Sequence, residues 1–556
     1  MSRVCPSIVS FLLAAGVAAA APALTLPPGA EEAEKRITAD QLLGPVRFLS
    51  HDLLEGRGAS SRGDELARTY IAGMFEFLGL KPGGPDGSWQ QPFDIVGITA
   101  AVPKSWTFKA GEQELTLKYW DEFIAGSGVQ SESAAIEDAE VVFVGYGIVA
   151  PEYGWDDFKG ADLKGNVLLM LNNDPDWDPE LFAGKTRLYY GRWSYKYESA
   201  ARQGAAGAII IHTTPSAGYP FQVVQTSWSG EQYELPAEGE PRIQVAAWAT
   251  EDATRRLLSA AGKDLDQLIE AAHQKDFRPV ALGVTTSLEL TNTIKRLQTA
   301  NVLGLLPGSD PELKDEVVVY TAHHDHLGVG EPDASGDTIY NGARDNASGV
   351  AQMLAIAKAM QSLPQAPRRS ILFNAVGVEE SGLLGSKYYA AHPTFPAGKI
   401  AATINFDSAN IWGRTKDVTI VGFGKSSLDQ IAVAAAARQG RTVLGDQFPD
   451  RGYYYRSDQF SFAKIGVPAL YIDQGTDFVG RPAGWGQEVV EQYEAKNYHQ
   501  PSDEYDPNWN LEGAVEDAQF GLICGLAAAE MDALPTWVPG DEFEAARKQA
   551  LEAVRE

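Results

Sequence analysis

Residues 316–328 read EVVVYTAHHDHLG, residues 341–350 read NGARDNASGV and residues 368–386 read RRSILFNAVGVEESGLLGS. The β-branched apolar run at 317–322 has the length of a buried strand, and it stops on His323, His324, Asp325 and His326. A second run, 371–378, stops on Glu379 and Glu380, and a third, 400–406, stops on Asp407. Helical patterns alternate with these runs, which predicts a mostly parallel α/β sheet. Such sheets place their ligands outside the carboxyl ends of the strands, so three strands deliver histidine and carboxylate to one edge.

Working outward, 556 residues of which 44% are hydrophobic are enough for two folded units. Residues 36–130 are the first part of the unit that carries these strand ends, and within them 37–92 read as helix, glycine-rich loop and helix; Ala67, Tyr70, Ile71, Met74 and Leu78 recur at helical spacing. The composition changes at 131–286, where short strands alternate with loops rich in Asp, Gly, Pro and Trp, and this predicts an inserted β-rich unit. The α/β pattern resumes over 287–535, and 536–556 read as an acidic C-terminal helix. Residues 1–21, with basic Arg3, an apolar stretch from Ile8 and small-residue sites, have the form of a secretory signal peptide. The expected location is therefore secreted or periplasmic with the leader cleaved. The alternative, a retained membrane anchor, is disfavoured because the run is shorter than the ~20 residues of a span. Without the leader only Cys524 remains, in a helical pattern that points to a buried thiol and no intramolecular disulfide. A formal net charge of −28 argues against nucleic acid or an anionic membrane as partner.

His323 and Asp325 are two apart at a strand end and point to one face, where the carboxylate can orient the imidazole by accepting its second N–H. Asp345 lies in a turn that opens a helix. Each feature has an ordinary structural alternative: a solvated HHDH turn, helix capping by Asp345 and Asn346, an exposed Glu379–Glu380 pair. Their joint occurrence at element ends favours a site. Residues 498–503, YHQPSD, add His499 in a late loop. His323, Asp345, Glu380, Asp407 and His499 make two imidazoles and three carboxylates, a donor set that suits zinc. Five ligands exceed the needs of one ion and suggest two Zn2+ sharing a carboxylate; with a bridging hydroxide the charges sum to zero. Glu379, outside the ligand count, is placed to take a proton from that water and pass it to a leaving amine.

These motifs, taken in order, resemble the di-zinc aminopeptidase family that also contains glutamate carboxypeptidase, and large secreted bacterial members in particular. The resemblance covers the GRGASSRG region and most of 301–531; LKGNVLLM and AARQGAAGAIII make the insert similar to a protease-associated domain. It implies a three-layer α/β/α core with a mostly parallel mixed sheet. It also implies that His323 and Asp407 hold one zinc, Glu380 and His499 the other, Asp345 bridges, Glu379 is the general acid/base and Asp325 supports His323. The implied substrate is a peptide with a free N-terminus. Two departures stand out. Arg344 replaces an acid before the bridging Asp345, where it either pairs with Asp345 or points outward. Gln459 replaces a histidine; with Asp458 and Tyr455 it is a candidate for the substrate pocket, while the 453–455 tyrosines read equally as pocket wall or core. A carboxypeptidase, for which Arg451 and Arg456 are candidate anchors, a glutaminyl-cyclase-like acyl transferase and a receptor-like binding protein are the alternatives. The retained ligand set counts against the last two.

Overall fold

The protein is described by a computed structural model covering residues 24–179 and 181–555; the leader expected at 1–21 lies outside the described residues. Ser370–Val376, Val317–His323, Ile400–Phe406 and Ala469–Asp473 lie side by side in that order as the parallel centre of a sheet. Antiparallel strands flank them: the end of Val280–Leu306 beside Ser370–Val376, and Asp417–Val421 beside Ala469–Asp473. The sheet is therefore mixed but mostly parallel at its centre, as the alternation of apolar runs and helical patterns predicts.

Burial on both faces explains why the first three central strands read as unbroken apolar runs. Val318, Tyr320 and Ala322 pack with Val46 of helix Ala39–Leu49, Met353 of helix Ser348–Met360 and Phe520 of helix Glu512–Glu530. Val317 and Val319 point the other way, onto Tyr389 of helix Leu384–Ala391 and Phe462 of helix Gln459–Lys464. The result is three layers, α/β/α. Contact with the long helix Glu512–Glu530 is close: the Tyr320 hydroxyl donates to the Gly521 carbonyl at 2.9 Å, and a Cβ on Gly525 would lie 1.8 Å from that hydroxyl. Cys524, on the same helix, is free and buried.

A second core collects Trp106, Phe108, Phe123, Phe143, Leu169 and Ile209 around the parallel strands Val167–Leu171, Gly207–His212 and Val245–Thr250. Helices Glu251–Ala260 and Leu265–Ala272 cover it through Leu257, Leu258 and Leu268. It spans 106–290, so it starts before and ends after the compositional boundaries at 131 and 286. The reason is the strand Val280–Leu306, 27 residues long, which pairs first with Ser133–Phe143 and then with Gln90–Ala101. Its two-residue alternation carries the second core past residue 286 and its far end into the first sheet. At the C-terminus, helix Glu544–Ala553 is docked rather than solvated: buried Arg547 donates to the carbonyls of Pro535 at 3.1 Å and Ile400 at 3.0 Å.

Candidate metal centre and its surroundings

Three strand ends converge. Beyond Ser370–Val376 the chain turns at Val378, buried and at φ +56°, a left-handed conformation that is costly for a β-branched residue. The turn brings the amides of Glu379 and Glu380 onto Asp325, whose Oδ1 accepts from Glu379 N–H at 3.0 Å and Oδ2 from Glu380 N–H at 3.4 Å. Asp325 thus joins two strand ends. Its role differs in part from the expected one. The carboxylate lies 3.8 Å from His323 Nδ1, and the closer partner of that nitrogen is the Asp325 carbonyl at 3.3 Å.

Asp345 occupies the middle of the site. Its Oδ1 lies 3.1 Å from His323 Nε2 and its Oδ2 3.4 Å from His499 Nε2, so its two oxygens face two different imidazoles. Asp407 Oδ1 is 3.2 Å from His323 Nε2, and Glu380 Oε2 is 3.1 Å from His499 Nε2. All five predicted ligand residues are therefore brought together, in two halves hinged on one carboxylate. Ligand atoms of His323, Asp345 and Asp407 lie within 4.8 Å of one another; so do those of His323, Glu379 and Glu380.

The charges explain the pairing. Burial would raise Asp345, but hydrogen bonds to His323 and His499 hold it well below the usual carboxylate range. Burial opposes the charge of Glu380 too, yet His499 and His326 bring it down to about 2. Burial disfavours charge on His499, and Glu380 and Asp345 nevertheless lift it to about 10. Glu379 behaves oppositely: burial, reinforced by the charges of Asp407 and Glu380, pushes it well above the usual range against the pull of His323. An enclosed group of carboxylates that draws protons onto its imidazoles is one that a divalent cation fits, because the cation supplies the same positive charge at the same nitrogens and oxygens.

Several groups that build the site carry no clear sequence signal. His326 Nδ1 lies 2.7 Å from Glu380 Oε1. Asp503, four residues after His499, accepts from the backbone N–H of Arg344 at 3.1 Å and of Asp345 at 3.0 Å. It fixes the Asp345 turn to the His499 loop. Asn346 ties the same turn to the Asp407 strand: its Oδ1 accepts from Gly349 and Ser408 N–H, both at 2.9 Å, and its Nδ2 donates to the Phe406 carbonyl at 2.9 Å. Arg57, fully buried, donates to the carbonyls of His324, Asn341 and Gly342. For Asp503 the Pro-x-Asp spacing after His499 was the available hint.

Arg344 neither pairs with Asp345 nor points outward. Its guanidinium is 4.4 Å from the Tyr493 ring centroid and 4.9 Å from that of Trp412, with Nε donating to the Ala409 carbonyl at 3.1 Å. The three candidate pocket residues differ in setting. Gln459 is fully buried, accepting from Asn405 Nδ2 at 3.1 Å and donating to the Tyr454 carbonyl at 2.7 Å, and Asp458 is 1% exposed. Both sit where the short helix Gln459–Lys464 packs on the sheet. Tyr454 and Tyr455 belong to a buried aromatic cluster with Phe460 and Phe543, and the Tyr455 hydroxyl donates to Glu542 at 2.6 Å. Tyr455 alone of the three also lines a cavity of about 1100 Å³. That cavity reaches Glu379, Glu380 and His499 on one side and Trp193 and Tyr219 of the β-rich unit on the other.

Among known proteins, leupeptin-inactivating enzyme 1 of Streptomyces exfoliatus is 34% identical over 210 residues, 37% of this chain and 43% of that protein. Aminopeptidase YwaD of Bacillus subtilis is 27% identical over 374 residues, 64% of this chain and 62% of that protein. The chain thus spans about half the length of the curated relatives it matches. Among solved structures, the aminopeptidase from Aneurinibacillus sp. strain AM-1 aligns over 90% of this chain and 95% of its own, at 19% identity and a TM-score of 0.49. Residues 301–523, which contain all five ligand candidates and Glu379, match the model of peptidase family M28.

Proposed function

We propose that the protein is a secreted di-zinc aminopeptidase that releases the N-terminal residue of peptides. The observation that carries the reading is the placing of Asp345, with one oxygen toward His323 and Asp407 and the other toward His499 and Glu380. In this reading His323 and Asp407 hold one zinc, Glu380 and His499 the second, and Asp345 both. Zinc bound there supplies Lewis acidity toward a water molecule and the scissile carbonyl. The protein's own part is proton handling and alignment. Glu379 stands beside the ligands with its backbone N–H fixed by Asp325, and burial raises its proton affinity, which suits a carboxylate that takes a proton from water and returns it to the leaving amine. Asp325 keeps Glu379 and Glu380 in register with His323. The β-rich unit, whose sequence is similar to a protease-associated domain, walls the cleft in which the peptide lies. The name of the Bacillus relative, an aminopeptidase, supports the N-terminal direction.

The test is metal content of the purified protein together with hydrolysis of a panel of aminoacyl amides, wild type beside Glu379→Gln. Two zincs per chain and N-terminal release are expected. In the variant kcat should fall by roughly 10²–10⁴-fold with zinc content unchanged. Zinc-loaded protein that releases no N-terminal residue would overturn the reading.

A further inference from the structure

We propose that the cleft beside the metal centre receives a carboxylate carried by the peptide beyond the scissile bond, with Arg192, Arg456, Lys387 and Lys464 as the receiving groups. This names a substrate class for the proposed aminopeptidase and rests on that reading. All four side chains line the cavity that reaches Glu379 and His499. Arg192 comes from the β-rich unit, just before helix Trp193–Arg202, and the other three come from the catalytic unit, so the cations converge from both walls.

None of the four makes an ion pair among the described residues. Of the acids of the same cavity, Glu234 and Glu240 pair with Arg242 at 2.5 and 2.8 Å, Glu198 accepts from the Tyr189 hydroxyl at 2.6 Å and Asp94 from Gln298 Nε2 at 3.0 Å, Glu379 and Glu380 belong to the metal centre, and the charges of Glu198 and Glu234 reach Lys387 without an ion pair. Glu238 lies on the exposed rim. Ring faces take the place of carboxylates. Arg456 lies 5.3 Å from the Tyr453 centroid, and Lys464 lies 4.9 Å from that of Tyr189. Stacking of this kind orients a cation and leaves N–H groups available. Arg192 Nε is buried and has no hydrogen-bond partner, an arrangement that carries a cost unless a ligand supplies an acceptor. Burial, with the nearby charge of Arg456, pulls the Arg192 guanidinium down to about 10, which a bound anion would reverse.

In a chain of net charge −28, these four cations stand out because none is held in an ion pair, although acids line the same cleft. A peptide has the matching polarity. Its ammonium group is repelled by the cations. A carboxylate further along is attracted to them. Two sources of that carboxylate fit, the C-terminus of a short peptide or an acidic side chain.

The experiment uses the zinc-loaded full chain and tripeptides sharing the N-terminal residue best cleaved in the aminoacyl panel. One pair differs by a free or amidated C-terminus; a second, amidated in both members, differs by Glu or Gln at the second position. At low salt at least one pair should show a preference of roughly tenfold or more in kcat/KM for the carboxylate-bearing member. Which pair does so identifies the source. The Arg192→Gln/Arg456→Gln double variant should bring that ratio to within about twofold of one, and 1 M NaCl should reduce it as well. Should thermal melting show the double variant unfolded, the exposed Lys387→Gln and Lys464→Gln changes should each lower the ratio by about threefold. Wild-type ratios near one in both pairs, with hydrolysis intact, would overturn this inference and leave the aminopeptidase reading in place. Release of the C-terminal residue would overturn both.

Discussion

Glu380 is gripped from two sides, by His499 Nε2 at its Oε2 and by His326 Nδ1 at its Oε1, 3.1 and 2.7 Å away. A Cβ on Gly342 would lie 2.5 Å from the His326 ring, so the ring has no room to turn away. In the proposed centre Glu380 is a ligand, and His326 is the neighbour that fixes which of its oxygens is free. Replacing the imidazole by a ring of similar size that cannot hydrogen-bond, His326→Phe, should weaken zinc retention roughly 10–100-fold, read by competition with a chromophoric chelator. Unchanged retention would reduce His326 to packing. The ligand candidates were legible because each ends an apolar run or sits in an ordered motif. His326 was not, because it lies beyond the strand end, where two-residue alternation no longer says which way a side chain points. Arg344 was illegible for a related reason: its aromatic partners Trp412 and Tyr493 lie far along the chain and meet it only in the fold.

Helix Arg62–Phe77 is joined to the His323 strand by one buried carboxylate. Asp64, on its first turn, accepts from Arg68 at 3.1 Å and from the Thr299 hydroxyl at 2.8 Å, and its Oδ1 is 3.1 Å from His324 Nε2. Burial would raise its pKa, but the contacts with His324, Arg68 and Thr299 outweigh burial and hold it below the usual value. A carboxyl with a depressed folded pKa contributes stability that is complete above its unfolded pKa, ~3.9, and lost as the pH falls through the folded value. Asp64→Asn should therefore cost about 3 kcal/mol at pH 7, measured as a lower urea midpoint. The gap between wild type and variant should close as the pH drops below about 4. A gap independent of pH would mean that shape, not charge, matters at this position. The sequence showed this helix through its apolar spacing and the three site-bearing strands through their β-branched runs. It did not show Val280–Leu306 as one strand, because Gly283 at φ +65° and register shifts near Thr285 and Leu288 break its pattern, and its middle alternates polar residues on an exposed face.

At the scale of the whole molecule, two cores with no residue in common are joined by that strand, by its 12-residue pairing with Gln90–Ala101 and by a small apolar seam in which Tyr189 meets Phe460 and Tyr233 packs near Leu384. Every metal-ligand candidate belongs to the unit built on the first core. A cation that binds only the folded form stabilises the unit that holds it, by an amount that grows with the ratio of its concentration to its Kd. This junction transmits little of that term, since it buries few apolar side chains compared with either core. Two calorimetric transitions are therefore expected, and a zinc chelator should lower one by roughly 5 °C or more while leaving the other in place. Cys524 identifies which is which: burial in the first core raises its pKa and shields it, so its reaction with a thiol reagent should track the chelator-sensitive transition. If both transitions move together, the long strand couples the cores into one cooperative unit, and the β-rich wall of the cleft is then set by the state of the metal centre.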